Sequence, residues 1–238
     1  MFKSWSELEQ AIINCRKCLL YKTRRNAVPG EGSKNAKLMF IGEAPGAVED
    51  ETGRPFVGAA GKLLTDTLEK FRLKRSEVYI TNVIKCRPPG NRDPRDEEIE
   101  NCSPYLESQI LLIKPLVIVA LGRFAAIWLL KRMGYHCQGI MKCRGRVYKG
   151  LLLGLEVSVI PTIHPAAALY NPRLRPIFES DLKLAIEEIA LKERKIPSSK
   201  PKAKPKSLQA TMKASSWEEV LDIFEKLWPD VILTAEVQ

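Results

Sequence analysis

Four short runs of β-branched, aliphatic and aromatic residues, separated by helix-length stretches, restrict this chain more than any other feature of its sequence. The runs are 37–41 (KLMFI), 78–81 (VYIT), 116–121 (LVIVAL) and 157–161 (VSVIP). Each is short, largely apolar and followed by turn residues, the pattern of a strand buried on both faces. Helical stretches at 60–71, 96–113 and 123–133 lie between the runs, and a fourth at 177–195 follows the last. Strands that alternate with helices line up in parallel, with the helices covering both faces of the sheet. The expected fold is therefore α/β, with three layers (α/β/α) and a central four-stranded parallel sheet.

In open α/β sheets, ligands bind beyond the carboxyl ends of the strands. The segments at those ends are Gly42-Glu43-Ala44-Pro45-Gly46, Asn82 within TNVIKCRPP, Gly122-Arg123 and His164-Pro165-Ala166-Ala167. A single polar loop at a strand end is unremarkable. Here the four most polar and turn-rich segments converge on one rim, and they include one of only two histidines. That rim is the expected site.

No apolar run approaches the ~20 residues that span a bilayer. The opening MFKSWSELEQ lacks the basic-then-apolar layout of a secretory signal, and its Ser4 and Glu7 stand instead at capping-box spacing. The chain reads as cytoplasmic, with no membrane partner, a setting in which cysteines are more often ligands than disulfides. Cys15 and Cys18 form a C-x2-C pair, and Cys86 and Cys102 follow the second strand with fifteen residues between them. Four thiolates in two such pairs suit a zinc ion or a four-iron cluster equally well on ligand count. The cationic setting of Cys86, KCRPPGNRDP, favours thiolate and an anionic cluster. Cys137 and Cys143 have the spacing of a small-loop disulfide or of a redox-insensitive pair, and no function is assigned to them.

The chain carries 38 Lys+Arg against 28 Asp+Glu, a net charge of +10, which attracts a polyanion. A basic tail would account for this trivially, but residues 192–238 hold 9 basic and 7 acidic residues, a net of +2, leaving +8 on residues 1–191. The globular part is itself basic, as expected of a nucleic-acid-facing surface. Past residue 191 the texture changes. Residues 192–206 (KERKIPSSKPKAKPK) are a Lys/Pro/Ser linker that cannot bury apolar area. In the extension 207–238, Ser216 and Glu219 cap an amphipathic helix with Trp217, Val220, Leu221, Phe224, Leu227 and Trp228 on one stripe, stopped by Pro229.

Four blocks carry a specific resemblance: GEAPGAVEDETGRPFVGAAGKLL (42–64), TNVIKCRPPGNRDPRDEEIENCSPYL (81–106), LGRFAA (121–126) and HPAAAL (164–169). Together with the C-x2-C pair they resemble the family 4 uracil-DNA glycosylases over about residues 1–190. The resemblance implies a uracil-DNA glycosylase fold over 1–191 and a structural [4Fe–4S] cluster on Cys15, Cys18, Cys86 and Cys102. It implies uracil-containing DNA as substrate, with the base flipped out and its N-glycosidic bond hydrolysed to leave an abasic site for base excision repair. Phe56 resembles the ring that stacks on the base, and Gly42 and Ala44 are expected to join it in binding the substrate. Asn82 resembles the amide that donates to O4 and accepts from N3–H, a pattern that cytosine inverts. His164 stands where the family places its donor to O2, assisted by backbone N–H groups of the Glu43-Ala44 turn. The best-known uracil glycosylases carry an aspartate where Ala44 stands, so Glu43, the nearest carboxylate, is expected to orient water or sugar. Glu49 resembles the side chain that crowds C5 against thymine, and Asp50 is the substitute for either carboxylate. Leu169 resembles the wedge that fills the hole left in the duplex, with Arg173 and Arg175 gripping phosphates beside it.

Two other readings stand beside this one: a uracil-DNA-binding protein of the same fold with little turnover, and a non-catalytic iron–sulfur DNA-binding module. The chain is expected to be monomeric. For the extension, docking on its own catalytic domain is preferred over a sliding clamp, because 207–224 holds no clamp-binding consensus.

Overall fold

A run such as LVIVAL, apolar at every position, can bury both faces and satisfy its backbone only inside a sheet with helices on each side. In the computed structural model, which describes residue 2 and residues 4–195, it lies at such a position. The described strands are β1 (Glu31–Gly32), β2 (Leu38–Gly42), β3 (Tyr79–Asn82), β4 (Val117–Leu121), β5 (Tyr148–Leu152) and β6 (Leu155–Thr162). The described α-helices are α1 (Trp5–Ile13), α2 (Ala47–Thr52), α3 (Ala59–Lys70), α4 (Asp96–Ile113), α5 (Arg123–Arg132), α6 (Ile140–Cys143), α7 (Pro165–Tyr170) and α8 (Arg175–Lys195). The sheet order is β1-β3-β2-β4-β6-β5, and β3, β2, β4 and β6 are mutually parallel.

The two-residue period of the strands sorts their side chains into two cores. Met39 and Ile41 of β2 point into a cluster with Leu8 and Ile12 of α1, Leu106 and Ile110 of α4, and Leu129 of α5. Leu38 and Phe40 point the other way, into a cluster with Leu64 and Leu68 of α3 and Phe178 and Leu182 of α8. This is the three-layer arrangement, with the four central strands expected. Ser4 caps α1 by accepting the Glu7 N–H at 3.2 Å.

The structure adds an antiparallel strand at each edge of that sheet. β1 pairs with β3 over only two residues, too few to carry a periodic signal. β5 pairs with β6 through Leu153-Gly154, whose φ values of +54° and +82° make a tight hairpin turn. Such turns favour Asn or Asp before the glycine, and leucine there disguised the hairpin. Cys137 and Cys143 are joined in a disulfide, one of the two alternatives their spacing left open. The last helix runs to Lys195, four residues into the stretch assigned to the linker. The rest of the linker and the whole 207–238 extension, including its amphipathic stripe, lie outside the described residues. Among the described residues no helix is long and apolar enough to cross a membrane.

Candidate active site

Gly42 and Asn82 are register partners at the carboxyl ends of β2 and β3. A side chain on Gly42 would stand 2.4 Å from both Asn82 Oδ1 and the Phe56 ring. Glycine is what lets these two side chains approach. Phe56 has a φ of +51°, a left-handed conformation that costs a non-glycine residue about 1 kcal/mol or more. It is held there from three sides. Arg75 donates to the Phe56 carbonyl at 3.0 Å and to the Pro55 carbonyl. Glu49 Oε1 accepts the N–H groups of Val57 and Gly58 at 3.0 and 2.8 Å. At Gly61, in the first turn of α3, a side chain would lie 1.8 Å from the Phe56 carbonyl oxygen, so the helix packs directly on this loop.

His164 follows β6 and caps α7. Its Nδ1 accepts the Ala166 N–H at 3.2 Å, which leaves the proton of a neutral imidazole on Nε2. Burial pushes its pKa down to about 4, against a smaller upward pull from Glu49. At neutral pH it is therefore an uncharged N–H donor. Its ring centroid lies 5.6 Å from that of Phe56.

Glu43, Ala44, Glu49, Phe56, Asn82 and His164 all line one cavity of about 410 Å3. Two of its groups are conspicuously unengaged. Asn82 is 1% exposed, and its Oδ1 is the buried side-chain polar atom that lacks a partner among the described residues. Burying an acceptor without a donor costs about 1–3 kcal/mol, so the arrangement is built for something that arrives with an N–H. Glu43 is the second. Among the described residues nothing donates to its carboxylate, and burial, helped by Asp93, pushes its pKa up to about 7, with Arg123 pulling the other way. Glu49, by contrast, has one oxygen committed to two backbone N–H groups. Of the two carboxylates in the cavity wall, Glu43 is the one free to take a proton or hold a water.

Other expected residues fall outside the cavity. Gly42 does not line it and serves by making room for Phe56 and Asn82. Asp50 is buried away from it, its Oδ1 accepting the N–H groups of Arg25 at 2.9 Å and Asn26 at 3.4 Å. Its reading as a substitute carboxylate fails because that oxygen anchors a turn. Leu169 is exposed on α7 but is not in the wall. Its neighbour Tyr170, 92% exposed, is in the wall and was missed. Arg173 is exposed, and Arg175 pairs with Glu179 at 3.3 Å. Arg75, which clamps the Phe56 loop, was also missed: nothing in the spacing of RSEV links it to RPF.

Cys15, Cys18, Cys86 and Cys102 are free and line one void of about 10 Å3, between the end of α1, the loop after β3, and α4. Arg24 Nη1 donates to Cys86 Sγ at 2.9 Å, and the Lys85 N–H to Cys102 Sγ at 3.2 Å. Burial raises the thiol pKa of Cys102 to about 12 and also raises those of Cys86 and Cys18. Among the described residues no group of three ligating side chains is placed to hold a single metal ion. Between this void and the cavity lies a fully buried lysine, Lys85, that the sequence reading passed over.

Comparison with known proteins agrees with this geometry. A family model described as the Uracil DNA glycosylase superfamily matches residues 29–189. A type-4 uracil-DNA glycosylase of Sulfurisphaera tokodaii is 52% identical over 189 residues, covering 79% of this chain and 86% of that protein. One from Archaeoglobus fulgidus is 51% identical over 181 residues, covering 76% of this chain and 91% of its own length. A type-5 uracil-DNA glycosylase of Pyrobaculum aerophilum is more distant, 30% identical over 161 residues, with 55% of this chain and 71% of that protein covered. With its fold, its rim and more than half its length matched, the chain belongs to the uracil-DNA glycosylase superfamily.

Proposed function

We propose that this chain is a type-4 uracil-DNA glycosylase, which takes uracil arising from cytosine deamination out of DNA and hydrolyses its N-glycosidic bond. The observation that carries the reading is the orphaned Asn82 Oδ1, sharing one cavity with a neutral imidazole donor and a stacking ring. The N3–H of uracil meets Asn82 Oδ1 while the amide N–H2 meets O4. Cytosine presents an acceptor and a donor at those places and leaves both amide groups unpaired, which is how a buried site rejects the wrong base. Departure of the base puts negative charge on the ring, mostly at O2, where the His164 Nε2–H donates. Glu43 orients the attacking water and takes up its proton. Glu49 acts one step removed, holding the Phe56–Gly58 loop so that the ring lies flat against the base. Leu169 near the end of α7, Arg173 in the turn that follows and Arg175 at the start of α8 are the residues that would meet the DNA, and the enzyme works as a monomer.

A uracil-containing oligonucleotide incubated with the protein and then treated with alkali is cut at the uracil position, and its cytosine counterpart stays whole. An uncut uracil strand that is nonetheless bound would return the chain to the reading of a DNA-binding module.

The four cysteines fit a [4Fe–4S] cluster. Such a cube takes one thiolate at each of four corners, as cysteines spread around a void can supply, whereas a single zinc ion draws its ligands to one point. The N–H groups of Arg24 and Lys85 already address two of the sulfurs, and ligation would draw off the protons that burial otherwise keeps on the thiols. The cluster's contribution is structural: it ties α1 to the loop after β3 and to α4, closing chain segments far apart in sequence. Purified protein is expected to be brown, with iron and acid-labile sulfide at about four each per chain. Cys86→Ser is expected to lose the colour and the heat stability together. Stoichiometric zinc without sulfide would overturn the assignment.

A further inference from the structure

Lys85 is 1% exposed, in a position where lysine is almost never found unless its charge is met. Its Nζ donates to Thr81 Oγ1 at 2.8 Å, to the Asn82 carbonyl at 2.6 Å and to Gln109 Oε1 at 2.7 Å. Those are three acceptors for the three hydrogens of an ammonium group. Gln109 is itself fixed, its Nε2 donating to the Pro29 carbonyl at 2.7 Å and to Tyr79 Oη at 3.1 Å. The lysine is thus anchored to α4 at one side and holds the last peptide of β3 at the other.

That peptide matters because of what it carries. Asn82 ends its strand, and among the described residues no hydrogen bond reaches its side-chain oxygen. The direction in which the amide faces the cavity is set by its backbone and by packing against Gly42 and Phe56. We propose that Lys85 is a positioning residue for base recognition: by gripping the Asn82 carbonyl, its Nζ fixes the angle at which the Asn82 amide meets the everted base. The inference rests on the cavity being the uracil pocket. A buried aliphatic residue would fill the same space, but it would leave the Asn82 carbonyl without its donor and Gln109 Oε1 with only the longer contact from Thr81 Oγ1 at 3.4 Å.

The test is a double-mutant cycle on the intact protein, with preparations matched for iron content and melting temperature. Single-turnover excision from a uracil oligonucleotide is measured for wild type, Lys85→Met, Asn82→Ala and the double variant. Misplacement of a recognition group by a fraction of an ångström to 1 Å costs about 10–100-fold, and that loss is expected for Lys85→Met in an otherwise wild-type chain. In the Asn82→Ala background the same change is expected to cost no more than about twofold, because the group it positions is gone. Thr81→Val, which removes one anchor of Nζ and keeps the side-chain shape, is expected to show a smaller loss with the same non-additivity, and it serves where Lys85→Met does not fold. Losses that multiply in the double variants would overturn the proposal and leave Lys85 a packing residue. Wild type that excises no uracil would overturn the pocket itself, and this inference with it.

Discussion

His164→Ala is expected to lower the single-turnover rate of uracil release by about 10²–10³-fold, the cost of removing one preorganised donor from a developing oxyanion, with binding to the uracil duplex staying within about twofold. The imidazole has two functions that this substitution removes together. Nδ1 accepts the Ala166 N–H and so caps α7, an interaction of about 1 kcal/mol. Nε2–H donates into the cavity, and the electrostatic term there is about 2.7–4 kcal/mol. His164→Asn separates the two, since asparagine caps helices well but its short amide stops before the place of Nε2. The Asn variant is expected to melt like wild type and to react as slowly as the Ala variant. Because burial keeps the imidazole neutral down to about pH 4, no rate limb between pH 5 and 8 belongs to it. An Asn variant with near-wild-type rates would show that the residue works through the helix cap and not through its donor.

The central architecture was legible because its signals are local and strong. The helix expected at 96–113 is α4 to the residue, and each central strand appears within two residues of its sequence run. What escaped notice was weak for a physical reason. β1 is a two-residue pairing, and β5 (YKGLL) carries an adjacent Lys-Gly pair in its middle and turns through an atypical Leu-Gly. Both are edge strands, half exposed and free of the uniform burial that marks β2, β3 and β4.

In the site, Glu43, Ala44, Glu49, Phe56, Asn82 and His164 of the cavity wall could be named from motifs, but Tyr170 and the residues that hold the wall in place could not. Phe56 is readable as a ring in RPFVG. Its left-handed backbone, the Arg75 clamp and the exclusion of any side chain at Gly61 depend on contacts across the fold. Glu49 lines the cavity, and the motif gave no sign that its Oε1 also accepts the N–H groups of Val57 and Gly58. Lys85 was hidden by its own chemistry, since a lysine in a basic segment reads as a solvated charge. Tyr170 apart, the line between the legible and the hidden runs between side chains that face the cavity and side chains that face only the protein.

Glu43 supplies the second large effect, and its sign can be worked out from burial. Its carboxyl has a pKa pushed up to about 7, and only the ionised form can draw a proton from water. Excision by wild type is therefore expected to fall about tenfold for each unit of pH below 7 and to level off above it. Glu43→Gln is expected to lose about 10²-fold or more at pH 8 and to show no slope between pH 5 and 8. Stability should move the opposite way. The folded-state pKa lies above the ordinary 4.5, so between those values the folded chain keeps a proton that the unfolded chain releases. The stabilisation from that proton is complete below pH 4.5 and is lost as the pH rises through about 7. At pH 8 wild type holds a half-buried carboxylate to which no described residue donates, and Glu43→Gln is expected to melt above it. At pH 4, where both side chains are uncharged, the two should melt together. An unchanged slope in Glu43→Gln would move the base to another group, and Glu49, whose Oε1 already serves two N–H groups, is poorly placed to take the role.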